Sequence, residues 1–461
     1  MNHSKQFGSI NNLGTQPVLK LLLTYAVPSV VTMLVMSLYG IIDQIFINWY
    51  MGHMGNTAMS IVHPLNTIAL AITLLIGNGC VSFISLELGK KEFVKSKVQK
   101  AVGNAIAMLT IVSMLMSIIV LIFIRPILLS FGATEESLPY ALEYTTIMML
   151  GIPFAMIGRS VSTIIRSDGS PKYSMFSSLI GIVLSIILTP IFIFTFEMGI
   201  RGAAISTVIS QAISCFFALL YICKYAKVIR FSFNNIKLDY KICSKILVFG
   251  SSSFLTQLVI TLLSIVLNNS LRIYGENSIY GAEIPLAAIG IVTKTNTILT
   301  SVILGIALGT QPILGYNYSA KNYKRVKLTY KIVLVLTTSL AFLCNLIFVF
   351  APEIIISIFG SDSEDFFEFA CKYMQIYLLF SFVAGIHIPT SSYFQATGRP
   401  RKAMIITILR NIVISIPLII ILPHFFGLYG ILYAGAMTDI LMLCLTGIFI
   451  LKEMKSLNKK K

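Results

Sequence analysis

Few ionisable groups stand inside the apolar stretches of this chain, and those few are where chemistry could reside. Asp43 is the foremost. A carboxylate at the centre of a membrane span costs about 2.5–3.5 kcal/mol, so such an acid is functional unless it is solvated near one end. Ser29, Thr32, Met36, Tyr39 and Asp43 recur at spacings of three and four, one face of a helix. A polar face carrying one acid can take up a proton or a cation. Gln257, Thr261, Ser264 and Asn268 repeat the spacing without a carboxylate, and Asn268 stands about 225 residues from Asp43. Lys294 lies about ten residues into an apolar run, roughly 15 Å of helix. It either faces a cavity, pairing with a carboxylate or an anionic substrate, or snorkels to the interface. His63 and His387 are each a satisfied polar group or a proton site. Asp439 is a second intramembrane acid, with Arg410 as its partner unless that side chain snorkels. No histidine pair has metal-ligand spacing, so neither a metal nor a cofactor is expected.

The elements that hold these groups follow from composition. The 461 residues are 56% hydrophobic and 11% charged, with a mean hydropathy of +0.86. A soluble chain is roughly 25% charged, so an ordinary cytosolic enzyme and a disordered chain are excluded. The apolar runs are continuous rather than alternating, which excludes an outer-membrane barrel. The seven cysteines form no C-x-x-C pair and read as small buried hydrophobes. The polar opening, residues 1–16, does not resemble a signal peptide.

Twelve spans of bilayer length are expected, at 19–47, 57–86, 98–124, 138–165, 173–196, 202–223, 246–271, 284–315, 328–350, 370–396, 403–423 and 428–451. Lipid leaves their backbones no partner but themselves, so they are helices. Lysine and arginine crowd alternate loops: Lys90 to Lys100, Arg166 and Lys172, Lys224 to Lys245, Lys321 to Lys327, Arg399 to Lys402, and the closing Lys459 to Lys461. The loop at 48–56 has neither, and the one after span 9 is acidic, with Glu353, Asp362, Glu364, Asp365 and Glu368. By the positive-inside rule both termini are cytoplasmic in a multi-pass membrane protein. The net charge of +17 is then explained by topology and anionic lipid, without nucleic acid. Glu87, Arg166 and Asp168 are expected at the cytoplasmic surface, in helix-end packing or gating contacts. Pro28, Pro64, Pro153, Pro190, Pro389 and Pro417 interrupt spans and can kink them. Of 19 methionines, 14 fall within residues 1–230, which suits either ordinary packing or an adaptable apolar cavity.

The two halves resemble each other. Gly169-Ser-Pro171 after span 4 matches Gly398-Arg-Pro400 after span 10, Asn66-Thr-Ile68 matches Asn296-Thr-Ile298, and Ile182-Val-x-Ser185 matches Ile412-Val-x-Ser415. The common offset of about 230 residues marks an internal duplication. Six spans is an even number, so the repeats are parallel, with a site between them. The expected divisions are a segment at 1–18, a six-helix bundle at 19–230, a cytoplasmic linker at 231–245, a second bundle at 246–452 and a basic tail at 453–461.

Gly309-Thr-Gln-Pro-Ile-Leu-Gly-Tyr-Asn317-Tyr-Ser-Ala-Lys321-Asn-Tyr-Lys-Arg325, Tyr39-Gly-Ile-Ile-Asp43-Gln, Ser85-Leu-Glu87-Leu-Gly89 and Arg166-Ser-Asp168-Gly169-Ser-Pro171 resemble stretches of the MATE family, the multidrug and toxin extrusion transporters. The likeness covers nearly the whole chain and is nearest the MepA-type branch of low-GC bacteria. It implies an all-α membrane protein of two pseudo-symmetric six-helix bundles, in the bacterial cytoplasmic membrane, that expels amphipathic, often cationic compounds in exchange for H⁺ or Na⁺. Some members hold a cation with an Asp in span 1, an Asn and an Asp in span 5 and a Thr in span 6. Asp43 and Thr207 match the first and last, whereas the span 5 positions are Ser185 and Thr189. One negative charge is therefore missing, and a lone buried carboxylate is suited to a proton. Exchange for H⁺, or transport driven by substrate and membrane potential without an ion site, is expected in preference to Na⁺.

Met36, Tyr39, His63, Asn66, Gln257, Asn268, Lys294, Asn296 and His387 are the expected cavity residues. A flippase for lipid-linked saccharides is the alternative. It would want several deep Arg or Lys, and only Lys294 is read as clearly deep. A membrane enzyme would cluster His, Asp and Glu at one face, and no such cluster stands out. The expected partners are a small-molecule substrate, H⁺ and lipid, with the chain acting as a monomer.

Overall fold

The computed structural model describes residues 12–51, 53–90, 94–231, 236–281, 283–359 and 364–459. The first six spans are Val18–Met51, His53–Leu88, Lys95–Ile122, Leu138–Ser167, Pro171–Pro190 and Gly199–Leu220. The next three are Tyr240–Glu276, Glu283–Ser319 and Tyr323–Phe350. Span 11 is Pro400–Phe426 and span 12 Leu428–Lys459. Among the described residues eleven helices are long and apolar enough to cross a membrane, or twelve when one bent pair counts as a span. Side chains such as Ile118 (54% exposed) and Leu343 (62%) form the apolar coat that meets lipid. Span 12 continues as helix to Lys459, so most of the expected tail extends that helix.

The bent pair corrects the expected continuous span at 370–396. Glu364–Tyr377 and Ser381–Ala396 meet at 47°, whereas Pro389 sits inside an unbroken helix, Ala384–Ala396. The break is held from another span. Asn345 Nδ2 donates to the carbonyls of Leu378 at 2.7 Å and Leu379 at 3.1 Å. Pro389 in turn cannot bond the carbonyl of Gly385, four residues back. Thr337 Oγ1 donates to that carbonyl at 2.6 Å. Widened π turns at Ile191–Thr195 and Leu409–Ser415 adjoin Pro190 and Pro417.

The repeated Gly-x-Pro turns need glycine: Gly169 has φ +83° and Gly398 +73°, where a side chain is strained. The first turn is tied to the segment just after span 6 and the second to span 12. Asp168 accepts from Tyr221 Oη at 2.9 Å and from the backbone N–H of Lys227 at 2.7 Å, Val228 at 2.9 Å and Ile229 at 3.2 Å. Arg399 Nη1 donates to Glu453 at 2.7 Å.

The halves meet in the parts of their spans nearest the basic loops. Spans 2 and 7 cross there so closely that a Cβ on Gly250 would stand 1.7 Å from the Leu75 carbonyl oxygen. Asn78 Nδ2 donates to Ser253 Oγ at 3.0 Å, and Gln395 Nε2 to the same oxygen at 2.6 Å. Asn317 Nδ2 donates to the Leu13 carbonyl at 2.9 Å, as does Arg325 Nε at 3.2 Å. The residues before span 1 are thereby pinned across the basic end of spans 8 and 9. Toward the opposite end His63, Asn268 and Lys294 are exposed.

Candidate functional site

A cavity of about 210 Å³ lies in the N-terminal half between spans 1, 4, 5 and 6. Met36 and Tyr39 enter from span 1, Phe154 and Arg159 from span 4, Ser185 from span 5 and Thr207 from span 6. The spacing of three that joins Met36 to Tyr39 turns both to the same side of their helix. The hydroxyl of Tyr39 lies 2.8 Å from Ser185 Oγ and 3.4 Å from Thr207 Oγ1. Three spans are thus joined through hydroxyl oxygens, groups that can both donate and accept. Asp43 falls one turn beyond Tyr39 in span 1, but its side chain lies outside the described residues.

Not every expected residue joins this cluster. Thr189 is fully buried and faces Ser206, Oγ to Oγ 2.8 Å. Asn66, Gln257 and Asn296 are half-buried, while His63, Asn268 and Lys294 are exposed. His387 is buried, with Nδ1 3.1 Å from the Val383 carbonyl. Arg410 Nη2 donates to Asp439 Oδ1 at 3.1 Å, an ion pair in the C-terminal half. Glu87, Arg166 and Asp168, expected at the surface, are buried at the basic end, with exposures of 4%, 7% and 0%. Arg166 Nη1 reaches Ser29 Oγ at 3.2 Å and so ties span 4 to span 1. Burial pushes the Asp168 carboxyl above the usual carboxylate range, against the pull of its backbone and tyrosine donors. At Arg399 burial is the largest single influence and opposes the charge, but the hydrogen bond to Glu453 and the charge interactions with Tyr393, Glu453 and Tyr318 together outweigh it and hold the guanidinium above its ordinary range.

Arg159 corrects the reading that Lys294 alone is a deep base. It lies eight residues before the end of span 4, about 12 Å of helix rise, and lines the cavity. The signal that would have found it is the one applied to Lys294, a fixed charge inside an apolar run.

The MatE family model matches residues 28–191 and 252–421, one copy in each half. The multidrug export protein MepA of Staphylococcus aureus (strain MSSA476) is 29% identical over 423 residues, 91% of this chain and 90% of that protein. Among solved structures, a MATE protein in the straight conformation superposes with a TM-score of 0.90 at 21% identity, covering 98% of this chain and 99% of that one. The MATE multidrug transporter DinF-BH gives 0.87 at 28% identity, covering 95% and 96%. With the family model spanning both repeats and the twelve-span architecture in place, the chain belongs to the MATE family of membrane transporters.

Proposed function

We propose that this chain is a secondary active exporter that moves amphipathic small molecules out across the bacterial cytoplasmic membrane, in exchange for H⁺. The observation that carries the reading is the hydroxyl cluster of Tyr39, Ser185 and Thr207 beside the cavity, one turn from Asp43. Its span 5 member is Ser185, and Thr189, one turn further on, stands where a second acid would serve Na⁺. A hard cation needs several oxygen ligands and matching charge to replace its water, whereas one proton neutralises one carboxylate. The export direction is supported by the name of the staphylococcal relative, a multidrug export protein. With the basic loops cytoplasmic, both termini lie inside, and the contacts between the halves seal the cytoplasmic side. The state is then outward-facing, and transport alternates by parting spans 2 and 7 there. In this reading residues 19–230 and 246–452 are the two rocking bundles of a monomer, and 231–245 links them.

The test is efflux of an amphipathic dye from proteoliposomes under an imposed ΔpH or ΔNa⁺ alone. Export driven by ΔpH, and lost in Asp43→Asn with correct insertion preserved, is expected. Export driven by ΔNa⁺ and indifferent to ΔpH would overturn the proton assignment.

A further inference from the structure

Arg159 is the charged side chain among the described residues that line the N-terminal cavity. Its surface is exposed although span 4 buries its neighbours Gly158 and Ser160. The nearest carboxylates resolved on span 4 or at its ends are engaged elsewhere: Glu143 with Arg201 at 2.6 Å, and Asp168 with Tyr221 and the backbone after span 6. No ion pair to Arg159 occurs among the described residues. Around it the wall is divided between apolar surface (Met36, Phe154, Ile182) and hydroxyls (Ser178, Ser185, Thr207).

A guanidinium cannot shed its proton to relieve this position. In a cavity with low-dielectric helix walls its field is focused rather than spread, so it attracts an anion and repels a cation more strongly than an arginine on an open surface does. Its planar fork matches the two oxygens of a carboxylate or sulfonate. We infer that Arg159 is a specificity-determining residue that binds the anionic group of an amphipathic substrate, with the apolar body lying along Met36, Phe154 and Ile182. The substrate class is an aryl or alkyl carboxylate or sulfonate. Such a substrate is also driven outward by an inside-negative membrane potential. The assignment rests on the export reading for the direction of transport, but anion binding is a separate property.

The test uses three probes of one shape: 2-naphthalenesulfonate, the uncharged 2-naphthalenesulfonamide and 2-naphthyltrimethylammonium. Calorimetric binding to the purified full chain should favour the sulfonate over the sulfonamide by tenfold or more, with the cation weakest. Arg159→Gln should erase that preference while leaving sulfonamide affinity within about threefold, and Arg159→Lys should keep part of it. In proteoliposomes a valinomycin–K⁺ potential, negative inside, should speed sulfonate efflux in the wild type and not in Arg159→Gln. Equal affinity of the wild type for sulfonate and sulfonamide would overturn the inference, and needs no variant to fold. So would a sulfonate preference that survives in Arg159→Gln. ΔpH-driven dye export with no anion preference would refute this assignment and leave the export reading standing. Anion preference without any coupled export would do the reverse.

Discussion

Ser117 Oγ in span 3 donates to the carbonyl of Met149 in span 4 at 2.6 Å, and Met149 is the residue whose carbonyl Pro153 leaves without an N–H partner. The other half repeats the arrangement: Thr337 in span 9 serves the Gly385 carbonyl freed by Pro389 in span 10. Each proline is therefore tolerated because a hydroxyl on the preceding span stands in for its missing N–H. Ser117→Ala should lower stability by about 1–3 kcal/mol, the cost of a buried carbonyl without a donor. Ser117→Ala/Pro153→Ala should recover most of that loss, because an alanine in place of the proline would restore the N–H. Thermal melting in detergent checks both. A double variant no more stable than Ser117→Ala would refute the pairing.

The crossing of spans 2 and 7 offers a direct handle on the transport cycle. A Cβ on Gly250 would meet the Leu75 carbonyl oxygen at 1.7 Å, and one on Gly79 would meet the Ile246 carbonyl oxygen at 2.1 Å. Backbone atoms cannot yield as a flexible side chain would. Gly250→Ala should force the basic ends apart and cut transport at least tenfold. Spin labels at Lys97 and Lys324, both exposed at that end, should report a longer distance. An unchanged distance would mean that the closed contact absorbs the methyl group.

Arg410 and Asp439 form an ion pair whose acid is 10% exposed and whose base is 30% exposed. Removing one partner strands the other, which costs about 3–5 kcal/mol for a fully buried pair; the partial exposure of Arg410 favours the low end. Arg410→Met should melt well below wild type. Arg410→Met/Asp439→Leu should return close to it. If the double variant remains folded but transports nothing, the pair serves transport as well as packing.

Asn345 decides where span 10 breaks. Asn345→Leu would leave the Leu378 and Leu379 carbonyls without their side-chain donor, at about 1–3 kcal/mol for each buried group. The expected readout is faster hydrogen exchange confined to residues around the break. Exchange unchanged there would show that other groups hold the bend.

Asp168 accepts at both carboxylate oxygens, two donors to each. Asp168→Asn must turn an NH₂ toward two of those donors, so a loss of about 2 kcal/mol is expected. The loss should appear as looser anchoring of residues 227–229, read by limited proteolysis after span 6. Wild-type protease resistance in Asp168→Asn would count against that anchoring role.

Span number, the duplication and the basic end were legible from the residues themselves, because lipid imposes its demands locally. A run of Leu and Ile long enough to cross must be a helix, and lysine clusters mark its ends wherever the helix later packs. Gly169 and Gly398 announced their turns for the same reason, since the backbone there needs glycine whatever surrounds it. Orientation about each helix axis was different. Thr189 lies one turn from Ser185 in sequence, yet one faces Ser206 and the other Tyr39. Leu378 gives no sign of a break, because the group that stabilises it, Asn345, belongs to another span. Pro389, which does read as a breaker, sits in intact helix, because Thr337 supplies the missing bond. Arg159 becomes a cavity residue only when spans 1, 5 and 6 close around it. Hydropathy and turn chemistry are properties of a segment, whereas a cavity, a freed carbonyl and an ion pair belong to two or more helices at once, so only their packing could decide them.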